Sequence, residues 1–144
     1  MHTALVAIDL NEAGQWEALR PEAVAASQRG AVLHLAHVIP SHDALEPLVQ
    51  FVPKEVAAAH REEMRRQLSR CRMDVPDETE VHFHLLNGII YAEVLALADK
   101  VAADMIIVRA NAPGAESFLL GPNAARIVRH ARASVLVVRD AARV

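Results

Sequence analysis

Five short apolar runs divide the chain, and the segments between them carry apolar residues at helical spacing. Residues 3–9 read TALVAID, a run too short for a helix and almost free of polar positions, which suits a strand covered on both faces. Residues 31–39 (AVLHLAHVI), 81–86 (VHFHLL), 105–108 (MIIV) and 134–138 (SVLVV) read the same way. In the second intervening segment Val56, His60, Met64, Leu68 and Cys71 fall at steps of four, four, four and three, with Arg61, Glu62, Arg65, Arg66 and Arg70 on the other faces. Pro53 stands near its start, where the missing N–H costs nothing. Val94, Leu95, Ala98, Val101 and Ala102 mark a further helix, and Ala124, Ile127, Val128 and Ala131 the last. The first helical segment, residues 12–28, contains Pro21, which is expected to kink or restart it, and Gly30 supplies the stop.

Strands alternating with helices require parallel crossover units, and right-handed crossovers put helices on both faces of one sheet. The expected fold is therefore α/β, an open five-stranded parallel sheet of Rossmann-like type. Residues 40–53 form the longest connection and carry three prolines. They follow the second strand, at the end of the sheet where such folds place binding loops, and read either as a lid or as a slack connection.

A chain of 144 residues bounds the answer to one domain, 1–144, and 53% hydrophobic residues against 23% charged ones are enough for a buried core. With 15 Lys and Arg against 18 Asp and Glu, the net charge of −3 supplies no basic field for a nucleic-acid backbone, so no nucleic-acid partner is expected. The single cysteine, Cys71, cannot close an internal disulfide, which fits a reducing compartment. The apolar run at residues 4–8 stops at Asp9 and is too short for a secretion signal, and no stretch approaches the roughly 20 apolar residues of a membrane span. A cytoplasmic protein without a membrane partner is expected. No G-x-S-x-G, H-E-x-x-H or P-loop string occurs, so no reaction and no catalytic residue is assigned.

Several local strings, taken in order, resemble the universal stress protein family: VAID at residues 6–9, LHLAHVIP at 33–40, NGIIYAEVLALA around Gly88 and Glu93, DMIIV at 104–108, and GPNAARIVRHARASVLVVR at 121–139. The resemblance implies a strand order 3-2-1-4-5, a dimer and a bacterial-type cytoplasmic stress-response role. It also implies a division between members that bind ATP and members that do not. The binders carry G-x2-G-x9-G-[ST] after the fourth strand and an aspartate at the end of the first. Asp9 matches that aspartate and Gly121 the third glycine, but Arg109 and Ala112 stand where the first two glycines belong. Only eight residues separate Ala112 from Gly121, and Pro122 replaces the hydroxyl residue. Using Gly114 as the second glycine leaves six residues and puts Asn111 first, a poorer match. A phosphate cradle needs bare backbone because its N–H groups must approach the phosphate oxygens closely, often at positive φ. Arg109 and Ala112 add a β-carbon there and Pro122 removes a donor, so ATP binding in the family manner is not expected.

The candidate cleft residues are Asp9, Val38, Arg109, Gly114, Gly121 and Asn123. Arg109 either offers a bidentate guanidinium to an anion or pairs with a nearby acid such as Asp9 and fills the cleft. Asp9 either meets a ligand or, standing before Asn11 and Glu12, caps the following helix or forms an Asx turn. Val38 resembles a family position lining an adenine pocket, but better suits the role of a core strand residue. His82 and His84 share a strand face, which suits edge polarity better than a metal, since no third ligand stands nearby in sequence; no metal site is assigned. His34 and His37 lie on opposite faces, and His37 is expected to satisfy a hydrogen bond inside the fold. His60 on its apolar stripe suggests an interior or interface histidine, and Cys71 packing. The arginines around Glu62 and Glu63, and Arg126, Arg129, His130 and Arg132, suggest solvated faces. The last strand is an edge whose apolar Val135, Leu136 and Val137 invite pairing with a second copy, giving a homodimer. The expected function is a non-enzymatic, homodimeric stress-response or partner-binding module. The alternative is a divergent binder of ATP, AMP or a small anion, with slow ATP hydrolysis.

Overall fold

The computed structural model describes residues 2–40, 53–110 and 121–139. Five parallel strands stand in the order β3-β2-β1-β4-β5: β1 Thr3–Ala7, β2 Val32–Pro40, β3 Val81–Gly88, β4 Met105–Arg109 and β5 Ser134–Val138. The helices are α1 Gln15–Gln28, α2 Lys54–Arg70, α3 Ile90–Lys100 and α4 Pro122–His130, and a 3₁₀ turn, Cys71–Asp74, extends α2. The central strand β1 pairs on one side with β2, Ala4 opposite Leu33, and on the other with β4, Ala4 opposite Met105.

The alternation of side chains along β1 feeds two cores. Ala4 and Val6 join Leu33, Leu35 and Ile107 beneath α1 (Trp16, Leu19, Ala23) and α2 (Leu68). Leu5 joins Ala36, Val38 and Ile106 beneath α3 (Val94, Leu97) and α4 (Ala124, Ile127). Both faces of the sheet are therefore covered, which is why its strands read as unbroken apolar runs rather than as alternating ones.

Several boundaries differ from expectation. Helix α1 starts at Gln15 and runs through Pro21 without interruption. Leu19 and Ala23 on either side of the proline are fully buried, and the carbonyl that loses its donor belongs to Glu17, on the exposed side where water can reach it. Gly30 does end the helix: at φ +90° its N–H bonds to the carbonyl of Ser27, and Ala31 N–H reaches Ala26. Only the last turns of the α2 stripe are buried. Met64, Leu68 and Cys71 face the core, while Val56 and His60 are exposed, so His60 is not an interior residue. Helix α3 stops at Lys100, and Ala102, expected within it, has φ +54° beyond its end. Val128 is exposed although it lies near the apolar side of α4. The charged faces are as expected, with Glu62–Arg65 at 2.8 Å and Glu63–Arg66 at 2.5 Å along α2. Residues 41–52, where most of the long connection lies, fall outside the described residues. Among the described residues no helix is long and apolar enough to cross a membrane.

Candidate functional site

The chain leaves β1 toward β2 on one side of the sheet and reaches β4 on the other, so the carboxyl ends of β1 and β4 separate and open a cleft. Asp9, Val38, Arg109, Gly121 and Asn123 all line it, as do Glu12, Gln15 and His37. Its cavity volume is about 200 Å³, below the ~300–1,000 Å³ usual for sites that enclose a drug-sized ligand. Gly114 and Ala112 lie outside the described residues.

Arg109 is the last residue of β4, where a strand residue at the end of the sheet points along the cleft rather than into either core. Its side chain is only 7% exposed and its Nη1 stands 3.6 Å from Oε1 of Glu12. The acid beside Arg109 is thus Glu12 and not Asp9. The carboxylate of Glu12 also accepts from Nε2 of Gln15 at 3.3 Å, and Oε1 of the buried Gln15 accepts from the backbone N–H of Asp9 at 3.1 Å. A guanidinium, a carboxylate and a carboxamide therefore run in series from the end of β4 to the turn after β1. Glu12 and Gln15 were not anticipated as cleft residues, because their residue types suggest only solvent contact; Glu12 lies in the turn before α1 and Gln15 is the first residue of that helix, so no helical spacing relates them and it is the path of the turn that brings them together.

Asp9 is exposed and turns inward on its own backbone: its Oδ1 accepts from the N–H of Asn11 at 3.0 Å, an Asx turn. It does not cap α1, which begins after Gly14 without a side-chain cap. Val38 is 6% exposed and belongs to the core as well as to the cleft wall. Asn123 accepts through Oδ1 from the N–H of Tyr91 at 3.2 Å, tying the first turn of α4 to that of α3, and Arg126 lies over the Tyr91 ring at 4.8 Å. Gly121 sits at φ +82°, ψ +159°, a conformation open in practice only to glycine, and hands the chain to Pro122 as the first helical residue.

His37 is 1% exposed. Its Nδ1 lies 3.0 Å from the carbonyl of Ile8 and 3.2 Å from the N–H of Leu10, so the ring holds both ends of the segment that carries Asp9. Burial pushes its pKa below the ordinary histidine value, which keeps the ring neutral. One nitrogen cannot donate and accept at once, so the tautomer decides which contact is made. On the other face of β2, His34 meets His82 and His84 of β3, a third imidazole that strand spacing alone did not reveal. Burial pushes the Cys71 thiol up to about 12, which leaves it an inert packing group as expected. Among the described residues β5 closes one end of the sheet, paired with β4 on one side, and Val135, Leu136 and Val137 are half-buried there.

The fold agrees with what comparison with known proteins finds. The model of the universal stress protein family matches residues 1–139. Universal stress protein G of Shigella flexneri is 32% identical over 117 residues, covering 78% of this chain and 81% of the relative. Among solved structures, universal stress protein UspA from Lactobacillus plantarum superposes with a TM-score of 0.69 at 21% identity, covering 95% of this chain and 97% of that one. A universal stress protein from Archaeoglobus fulgidus in complex with dAMP gives a TM-score of 0.66 at 20% identity, over 96% and 98% of the two chains. A family model matched over nearly the whole length and a relative 32% identical across four-fifths of its own length lead to one conclusion: this chain belongs to the universal stress protein family.

Proposed function

We propose that the chain is a cytoplasmic, non-enzymatic stress-response module that works as a homodimer and meets a protein partner, and that its cleft does not take ATP in the family manner. The observation that carries this reading is Arg109, whose side chain is drawn into the cleft against Glu12 with only 7% of its surface exposed. A cationic side chain with a β-carbon fills space where a phosphate cradle uses bare backbone, and Pro122 withholds an N–H from the head of α4. Calorimetric titration with ATP and with AMP, with and without magnesium, tests this. Dissociation constants of millimolar or weaker are expected, and micromolar binding of ATP overturns the reading. Tighter binding by Arg109→Gly than by the parent protein would identify this arginine as the obstruction.

A second reading keeps the cleft as a divergent site for ATP, AMP or a small anion, with slow ATP hydrolysis. It is favoured by the convergence of Asp9, Val38, Gly121 and Asn123 on one cleft and by the relative solved with dAMP. Micromolar binding abolished by Asp9→Ala or Arg109→Gly would establish it in place of the first.

Dimerisation is inferred from β5. An apolar edge strand left open is a template for aggregation, and pairing it with the same strand of a second copy under two-fold symmetry covers both edges at once. Light scattering at tens of micromolar protein is expected to give twice the chain mass, and a stable monomer removes this part of the proposal.

A further inference from the structure

We propose that His34 of β2, packed with His82 and His84 of β3, makes a proton-responsive clasp that fastens the edge strand β3 to β2 through the His34–His84 bond, closed while that bond keeps its donor and acceptor and opened by acid. His34 on β2 stands directly opposite His82 on β3, two residues before the pair Ala36 and His84, so that all three rings lie on one face. The ring of His34 stacks on His82 at 4.8 Å between centroids and 16° between planes, and on His84 at 5.1 Å and 27°. Between them runs one direct contact, Nδ1 of His34 to Nε2 of His84 at 2.8 Å. An N–H···N bond between imidazoles needs one ring nitrogen to present a lone pair, so at most one of the two rings can carry a charge while the bond lasts. Protonating the second turns donor and acceptor into two donors and places like charges at stacking distance.

The surrounding charges do not relieve this. Just before β3, Glu80 accepts from His82 Nε2 at 2.6 Å, which commits the carboxylate to the most exposed ring of the three. Helix α3, packed over this face, brings Lys100, whose charge opposes protonation of His84. On the other side of β2, β1 places Leu5 opposite His34, with no charge to offer. Burial, followed by the neighbouring imidazoles, holds His34 below the ordinary histidine value, with Glu80 acting in the opposite sense; burial, then His82, then Lys100 do the same for His84. The folded chain therefore takes up these protons less readily than the unfolded one. Its stability is intact above the ordinary histidine pKa of about 6.5 and is lost as pH falls through that value toward the lower folded-state values. The same geometry argues against a metal. His34 Nδ1 is engaged with His84 and His82 Nε2 with Glu80, and among the described residues no group of three or more His, Cys, Asp or Glu side chains is placed to hold an ion.

The test is amide hydrogen exchange followed residue by residue between about pH 7.5 and about pH 5, corrected for intrinsic rates, in the parent protein and in His84→Gln, which keeps a hydrogen-bonding side chain without the titration. Protection of the β3 amides relative to those of β4 is expected to fall about tenfold or more with acid in the parent, and to change less than about twofold in His84→Gln. An unchanged acid response in the variant, or a flat one in the parent, overturns the proposal. Ring titrations of His34 and His84 by NMR give a second readout: midpoints below the ordinary histidine value support the clasp, and a midpoint above it for either ring defeats it. If zinc added at neutral pH stabilises the parent and not His84→Gln, the cluster is a metal site and the proton reading falls.

Discussion

Arg109→Met is expected to destabilise the folded chain by about 2–3 kcal/mol, and most of that loss is expected to disappear when Glu12→Gln is combined with it. Removing one partner of a buried ion pair leaves the other charge desolvated and unanswered, which in well-buried pairs costs about 3–5 kcal/mol. Here Arg109 is 7% exposed but Glu12 is 22% exposed, so water recovers part of the penalty. With Arg109 gone, the carboxylate of Glu12 keeps a single hydrogen bond, from Gln15 Nε2 at 3.3 Å. A neutral carboxamide at position 12 has no charge to strand and can still meet Gln15, which is why the double variant should recover. Denaturant titrations of the parent, both single variants and the double variant close the cycle. If the double variant is as unstable as the sum of the singles, the pair is not coupled, and the idea that Glu12 draws Arg109 into the cleft goes with it.

Ile107→Ala is expected to cost about 4 kcal/mol and to lower the melting temperature by roughly 12 °C in a domain of this size. Ile107 is fully buried, sits on the inner strand β4 opposite Val6 of β1, and packs within the core under α1. A central rung flanked by strands and covered by a helix cannot collapse around the missing carbons, so the cavity persists and the loss falls in the upper half of the usual range. Differential scanning calorimetry measures it directly. A melting temperature within about 3 °C of the parent would mean that the sheet relaxes into the void and that its interior is less rigid than described.

The architecture was readable from the order of apolar runs because a doubly covered parallel sheet leaves little freedom: every strand must be apolar on both faces and every connection must be a crossover helix. What failed were positions where a local rule competes with burial. Pro21 is a helix breaker by its own chemistry, yet Leu19 and Ala23 on either side of it hold α1 in place. Val56 and His60 carry the right periodicity but lie on the first turns of α2, where every residue is exposed. For the cleft, Asp9, Val38, Arg109, Gly121 and Asn123 were recognisable because each stands at the carboxyl end of a strand or the head of a helix, where this topology converges. The partner of Arg109 was not. Charge alone made Asp9 as good as Glu12, and only the Asx turn that folds Asp9 onto Asn11 decides between them. His34 was missed as a companion of His82 and His84 for a related reason: spacing within one strand is visible in the sequence, whereas register between strands is set by the packing of the whole sheet.

The placement of β1 in the middle of the sheet has a consequence for biosynthesis. Its second neighbour, β4, pairs with it from roughly a hundred residues further along. On the ribosome β1 emerges before either neighbour and can join β2 early, but its other flank has no native mate until β4 has been translated. During that interval a row of free amides and carbonyls beside Ala4, Leu5 and Val6 is open to wrong neighbours, and nascent-chain chaperones that shield extended apolar segments would find their longest-lived target there.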